Sequence, residues 1–229
     1  MKLVLFDIDG TLLRGGGAAR RAFEGSLAQV FGTQPDPRVH YDGKTDPQIA
    51  RELMRLAGHD DAAIDERLPA VIDGYLERLR REVADGERHF ETLPGVDALL
   101  DALEPREDVV IGLLTGNVAG GAAIKLRCAG LDESRFRVNA FGSDHEHRPE
   151  LPRVAVRRAR ELTGHDFDGD AIVVVGDTPA DIACARSVCA RTLAVATGRY
   201  SVRELEEHGP TTTFDDLTDT AAVVAALVG

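Results

Sequence analysis

The sequence predicts an α/β fold, a doubly wound parallel sheet interrupted by an all-helical insertion. Two observations predict it. Short apolar runs that end on acidic, hydroxyl or glycine residues alternate with stretches of helical periodicity, which is the pattern of βαβ units. The segment from about Gly15 to Arg88 breaks that alternation, because it holds three helical stripes and no convincing strand.

The first run, Leu3 to Phe6, reads as a buried strand that ends at Asp7. Ala19, Phe23, Leu27, Val30 and Phe31 then make one helical stripe. Ile49, Leu53 and Leu56 make a second, and Leu68, Val71, Ile72, Tyr75, Leu76, Leu79 and Val83 a third. Beyond them Val96, Leu99, Leu100 and Leu103 follow helical spacing, and Val109 to Leu114 is a strand-like run. Val138 to Phe141, Ile172 to Val175 and Leu193 to Val195 are further strands. Val154, Val156, Ala159 and Leu162 form a looser helix between them. Residues 1–14 and 89–229 therefore make the core domain, and residues 15–88 the inserted helical one. Gly15-Gly16-Gly17 and the stretch to Pro94-Gly95 are the expected hinges, a loose turn being the competing reading of the glycines.

Composition narrows the function classes. The chain has 229 residues, 43% hydrophobic and 29% charged, which is ordinary globular material without repeats. A net charge of −12 argues against nucleic acid and anionic membranes as partners. No apolar run approaches the roughly 18 residues of a membrane span. Asp7 and Asp9 interrupt the apolar start that could imitate a leader, so a cytoplasmic location is expected. Cys128, Cys184 and Cys189 lack metal-ligand spacing and read as buried structural thiols. Only Lys2, Lys44 and Lys125 are lysines among 27 basic residues.

Three strand ends carry the chemistry. Asp7-Ile8-Asp9-Gly10-Thr11 places two carboxylates at the C-terminal edge of the sheet, where open α/β folds bind ligands. Extended backbone would aim both the same way, but Gly10 invites a turn there. One carboxylate is then free to be nucleophile or metal ligand and the other to handle protons. Gly176-Asp177-Thr178-Pro179-Ala180-Asp181 supplies further hard oxygen ligands of the kind that suit Mg²⁺ beside a phosphate. A helix cap with a solvated acid is the competing reading of that cluster. Thr115-Gly116-Asn117 offers a hydroxyl and free N–H groups before a helix, as phosphate sites do. Thr and Asn also cap many helices without such a role.

Together these strand ends resemble the haloacid dehalogenase superfamily, in order and spacing, over the whole chain. Its first motif, Asp-x-Asp-Gly-Thr, matches from Asp7 to Thr11. Its second, an apolar strand ending in Thr or Ser, matches at Thr115, and its fourth matches from Gly176 to Asp181. The insertion resembles the helical C1-type cap of phosphoglycolate phosphatase and its relatives, carried on a Rossmann-like core. The third motif departs from the pattern. Where the family has a lysine, this chain reads His147-Arg148-Pro149, and no lysine follows Lys125. Arginine can grip carboxylate and phosphate oxygens with two bonds, though its bulk is expected to lower the rate. Lys125, in the helix after Thr115, is the backup candidate.

The resemblance implies a Mg²⁺-dependent phosphatase acting on a small phosphorylated metabolite. Asp7 would be the nucleophile and Asp9 the acid and base. Asp7, Asp9 (through its carbonyl), Asp177 and Asp181 would serve the metal. Thr115, Gly116, Asn117 and Arg148 would bind the phosphoryl group. Substrate choice is expected in the cap, at Lys44, Thr45 and Asp46, with Arg14 just beyond the first motif. Phosphomutase-type transfer and a weakly active, regulatory phosphate-ester binder are the alternatives. A dehalogenase fits worst, because it would leave Asp9 and Asp177 without work. Asp144-His145-Glu146-His147 is read as a polar loop and not as a metal site, having no further ligand at helical spacing. A monomer and a homodimer are both open.

Overall fold

The structure is a computed structural model and describes residues 1–85 and 89–229. Six parallel strands form one sheet in the order β5-β4-β1-β6-β7-β8. They are β1 (Lys2–Phe6), β4 (Val109–Thr115), β5 (Val138–Phe141), β6 (Ile172–Gly176), β7 (Arg191–Val195) and β8 (Thr212–Phe214). Side chains alternate across the sheet. Val4 and Phe6 pack into one apolar cluster and Leu3 and Leu5 into another. The first cluster takes in α4 (Val96–Leu103), α5 (Ala119–Ala129) and α9 (Thr220–Val228). The second takes in α6 (Leu151–Thr163) and α7 (Pro179–Ala185). The five strands expected from apolar runs are all present. The fold is the expected Rossmann-like α/β sheet.

Three strands had no apolar run to announce them. β2 (Leu13–Gly15) and β3 (Phe90–Thr92) pair antiparallel, with Leu13 against Thr92 and Gly15 against Phe90. This ribbon joins the helical block to the sheet domain, where the sequence suggested glycine hinges. β8 is a half-buried edge strand built mostly of threonine. The helix around Val154 keeps Ala159 of the expected stripe buried and Val154 and Val156 partly so. Leu151, Ala155 and Ala159 are buried at four-residue spacing, whereas Leu162 is exposed. Small alanines let α6 lie close to the sheet, beside the buried Leu151. Cys184 is buried, but Cys128 is only partly so and Cys189 is exposed, against the expectation of three buried thiols. Cys189 follows the short turn after α7 in a left-handed conformation (φ 54°), which holds it at the surface.

The inserted block comprises α1 (Ala18–Phe31), α2 (Asp46–Leu56) and α3 (Asp61–Glu82). α1 packs along α3 through Phe23 and Tyr75, whose rings meet edge-on at 5.3 Å. The Ser26 hydroxyl donates to the Val71 carbonyl at 2.7 Å and fixes their register. α2 starts at Thr45, which caps the Gln48 N–H, with Pro47 in the first turn. No helix among the described residues is long and apolar enough to cross a membrane.

Candidate active site

The register brings the chemistry-bearing residues to one edge. β1 lies between β4 and β6, with Phe6 opposite Leu113 and Val175. Asp7 continues the strand, its N–H donating to the Val175 carbonyl at 2.9 Å. Thr115 ends β4, and Asp177 follows Gly176 at the end of β6. Gly10 then reverses the chain with φ +85°, and a Cβ there would lie 2.3 Å from Asp177 Oδ2. Both its conformation and the approach of Asp177 require glycine.

Asp7, Asp177 and Asp181 are buried and present carboxylate oxygens within 4.8 Å of one another. Arg148 Nη2 bonds to Asp181 Oδ1 and stands 3.2 Å from Asp7 Oδ1. The arginine therefore takes the position that the sequence assigned to it, but it spans two carboxylates. Asp181 Oδ2 accepts from the Thr178 N–H at 3.1 Å and hydroxyl at 2.7 Å, closing a capping box at the start of α7. Asp177 Oδ1 accepts from the Thr11 hydroxyl at 2.9 Å. Burial raises the Asp7 carboxyl, and Asp181 and Asp9 add to this against the pull of Arg148. Burial, then Asp181 and Asp7, also hold Asp177 well above the usual carboxylate range. Arg148 stays charged, because Asp181 and Asp7 outweigh its burial. Three carboxylates thus gather around one guanidinium that pairs with two of them, which concentrates hard oxygen donors at one point. That donor set fits Mg²⁺.

Asp9 goes elsewhere. Its side chain is not in this cluster. Asp9 Oδ2 accepts from Lys125 Nζ at 2.6 Å and from Asn117 Nδ2 at 2.7 Å. Asn117 also donates to Thr115 Oγ1 at 2.8 Å, and its Oδ1 accepts from Lys125 at 2.6 Å. The turn at Gly10 has separated the two aspartates into a buried one among carboxylates and an exposed one among donors.

A cavity of about 620 Å³ opens on both groups. Asp7, Asp9, Thr115, Gly116, Asn117, Lys125, Arg148 and Asp177 line it from the core. The helical block contributes Arg20, Phe23, His40, Tyr41 and Asp46, and Arg14 and Arg199 also reach it. Of the four specificity candidates, Arg14 and Asp46 line the cavity and Lys44 and Thr45 do not. Lys44 pairs with Glu52 on α2. Thr45 is consumed in capping α2 and in donating to the Glu146 carbonyl at 2.6 Å. Arg20, Tyr41 and Arg199 were not singled out by sequence. Arg20 stacks 4.5 Å over the Tyr41 ring, and Arg199 reaches His40 and Asp42.

The helical block is docked over the strand ends. The Asp46 N–H donates to the Gly116 carbonyl, and Asp46 Oδ2 accepts from the Val118 N–H, both at 2.8 Å. Arg51 bridges to Glu146 at 2.6 Å. Burial raises the Asp46 carboxyl to about 6, against Lys125 and the Val118 N–H, which lower it. The loop at Glu146 thus serves docking. Within it the His147 N–H donates to His145 Nδ1, and the metal-type cluster among the described residues is the one at Asp7.

Comparison with known proteins supports the same frame. The chain superposes on a hydrolase from Pseudomonas syringae with TM-score 0.74 and 20% identity, each chain covered in full. It superposes on a protein described as a predicted phosphatase from Clostridium acetobutylicum with TM-score 0.71 and 19% identity, 99% of each chain being covered. A predicted phosphoglycolate phosphatase from Haemophilus somnus 129pt gives TM-score 0.70 at 18% identity over 98% of each chain. At such identities these likenesses speak for the fold alone. No curated protein matches the sequence. Residues 4–186, well over half of the chain, match the model of the haloacid dehalogenase-like hydrolases, and the protein belongs to that family.

Proposed function

We propose that the protein is a phosphatase that hydrolyses a small phosphorylated metabolite through an aspartyl-phosphate at Asp7. The observation that carries this reading is the division of labour between two aspartates at one strand end. Asp7 is buried beside Arg148 and among carboxylates, whereas Asp9 is half-exposed, hydrogen-bonded and open to the same cavity. A carboxylate oxygen of Asp7 attacks phosphorus, and the bond to the ester oxygen breaks. Asp9 gives that oxygen its proton. It then takes a proton from the water that cleaves the acyl phosphate, so the enzyme is restored. Thr115 and the Gly116 N–H hold phosphoryl oxygens beside the Arg148 guanidinium, which is positioning with electrostatic stabilisation. Asp7, Asp177 and Asp181 would hold Mg²⁺, which when bound neutralises charge between carboxylate and phosphate.

The cavity volume suits a small substrate. Arg14, Arg20 and Arg199 line it as well, so the part of the substrate remote from the phosphate is polar or anionic. The test is phosphate release from sugar phosphates, short phosphorylated acids and nucleotides, with Mg²⁺ and with chelator, beside the Asp7→Asn protein. Release that needs Mg²⁺ and Asp7 is expected. Absence of release from every ester overturns the reading, and consumption of an ester without free phosphate turns it into a transferase.

A further inference from the structure

We infer that Lys125 is a positioning residue that holds the Asp9 carboxylate for its proton transfers. The inference rests on the phosphatase reading above and assigns a task to a residue that the family motifs do not cover. Lys125 projects from α5, and its side chain is 6% exposed. Burying an ammonium is costly unless it is paired and hydrogen-bonded. Here Nζ donates to Asp9 Oδ2 and to Asn117 Oδ1, both at 2.6 Å. Asn117 closes the triangle by donating to the same Asp9 oxygen at 2.7 Å. Nζ also lies 6.0 Å from the centre of the Phe90 ring, at the edge of cation–π range.

The acceptor explains the arrangement. Asp9 sits on the loop after β1 with 45% of its side chain exposed, so its own packing does not fix its rotamer. Two donors on one oxygen, Oδ2, do so, while the residue lines the cavity. Arg148 cannot share this work, because it is committed to Asp7 and Asp181. The two buried cations therefore divide the two aspartates: Arg148 holds the nucleophile, and Lys125 holds the group that moves protons. A purely structural role is the competing account, in which Lys125 merely balances the charge of Asp46 and Asp9 at the seam between the helical block and the sheet.

A double-mutant cycle separates the two. Lys125→Met keeps most of the side-chain length and removes the ammonium. Its kinetics are measured with Mg²⁺ on p-nitrophenyl phosphate, in the unmodified and Asp9→Asn backgrounds. The leaving group of this ester needs no proton, so the Asp9→Asn protein still phosphorylates Asp7. Its slow steady state, like the kcat effects read in the cycle, reports the water-activating step that Asp9 serves as base. With Asp9 present, kcat is expected to fall roughly ten- to hundred-fold while KM stays within about three-fold. With Asn at that position, Lys125→Met is expected to cost less than about two-fold, because the group it acts through is gone. An unchanged kcat in Lys125→Met overturns the inference, and so do equal fractional losses in both backgrounds. If Lys125→Met does not fold, Asn117→Ala removes the other donor to Asp9 and is read by the same cycle. An unmodified protein that releases no phosphate overturns the functional reading and this inference with it. Normal turnover in both the unmodified protein and Lys125→Met overturns this inference alone.

Discussion

Arg148→Met removes the cation that stands between Asp7 and Asp181 and leaves three buried carboxylates whose oxygens lie within 4.8 Å. Breaking a buried pair by removing one partner costs about 3–5 kcal/mol. In a chain of this size each kcal/mol moves the melting temperature by about 2–4 °C, so the metal-free variant should melt roughly 6–20 °C lower. The deficit has a sign in pH. Asp7 and Asp177 already hold protons above the usual carboxylate range, and losing Arg148 pushes them further up. A carboxyl raised in the folded state contributes stability that is lost as pH rises through its folded value. The deficit should therefore be small near pH 5 and large near pH 8. Mg²⁺ should reduce it by binding the folded state and supplying the missing charge. The assay is thermal unfolding by circular dichroism at both pH values, with chelator and with Mg²⁺. A variant that melts within about 2 °C of the unmodified protein in chelator near pH 8 would refute the reasoning. So would a deficit that ignores pH. Turnover should fall on the order of 10²–10³-fold, as for loss of a donor to a developing charge.

Other predictions concern the seam and the cavity mouth. Asp46, whose carboxyl is raised to about 6, should make the protein lose stability as pH rises from about 4 to 6. Asp46→Asn should flatten that part of the stability curve, measured by urea unfolding across pH, and an unchanged slope counts against the assignment. A Cβ on Gly116 would lie 2.0 Å from the Lys44 carbonyl. Gly116→Ala should therefore prevent the docking of α2 over the strand ends, seen as faster proteolysis within residues 15–88, and resistance like that of the unmodified protein contradicts it. Arg14→Ala and Arg199→Ala should raise KM about ten-fold or more on the preferred ester while leaving kcat within about three-fold. A matching fall in kcat would place these arginines nearer the reacting phosphate.

The helices of the inserted block were legible from their one-sided apolar stripes, and the central strands from burial on both faces. Strands β1, β4, β6 and β7 run through the middle of the sheet and read as unbroken apolar runs, and β5, at its edge, is short but flanked by helix α6. Strands β2, β3 and β8 are short and paired at edges, so their residues carry no such signal. The inward face of α6 was legible at Ala159 and in part at Val154 and Val156, whereas Leu162 is exposed and the buried Leu151 and Ala155 were not singled out. At the site, the acidic residues were legible because strand ends announce them. Partnership was not. Whether Lys44 faces the cavity depends on Glu52, two turns along α2, and whether Arg148 replaces a lysine depends on its reach to Asp181. Lys125 stood out as one of three lysines, yet its task follows from the 2.6 Å contact with an aspartate 116 residues away.

In the proposed mechanism Asp7 carries the phosphoryl group during turnover. The direct measurement is mass spectrometry of protein quenched in acid during turnover of the best ester, with peptides mapped across the first motif. A phosphoryl group on Asp7 that disappears when substrate is exhausted is the expected result. Turnover without any acid-stable label on Asp7, or with the label on another residue, would contradict it.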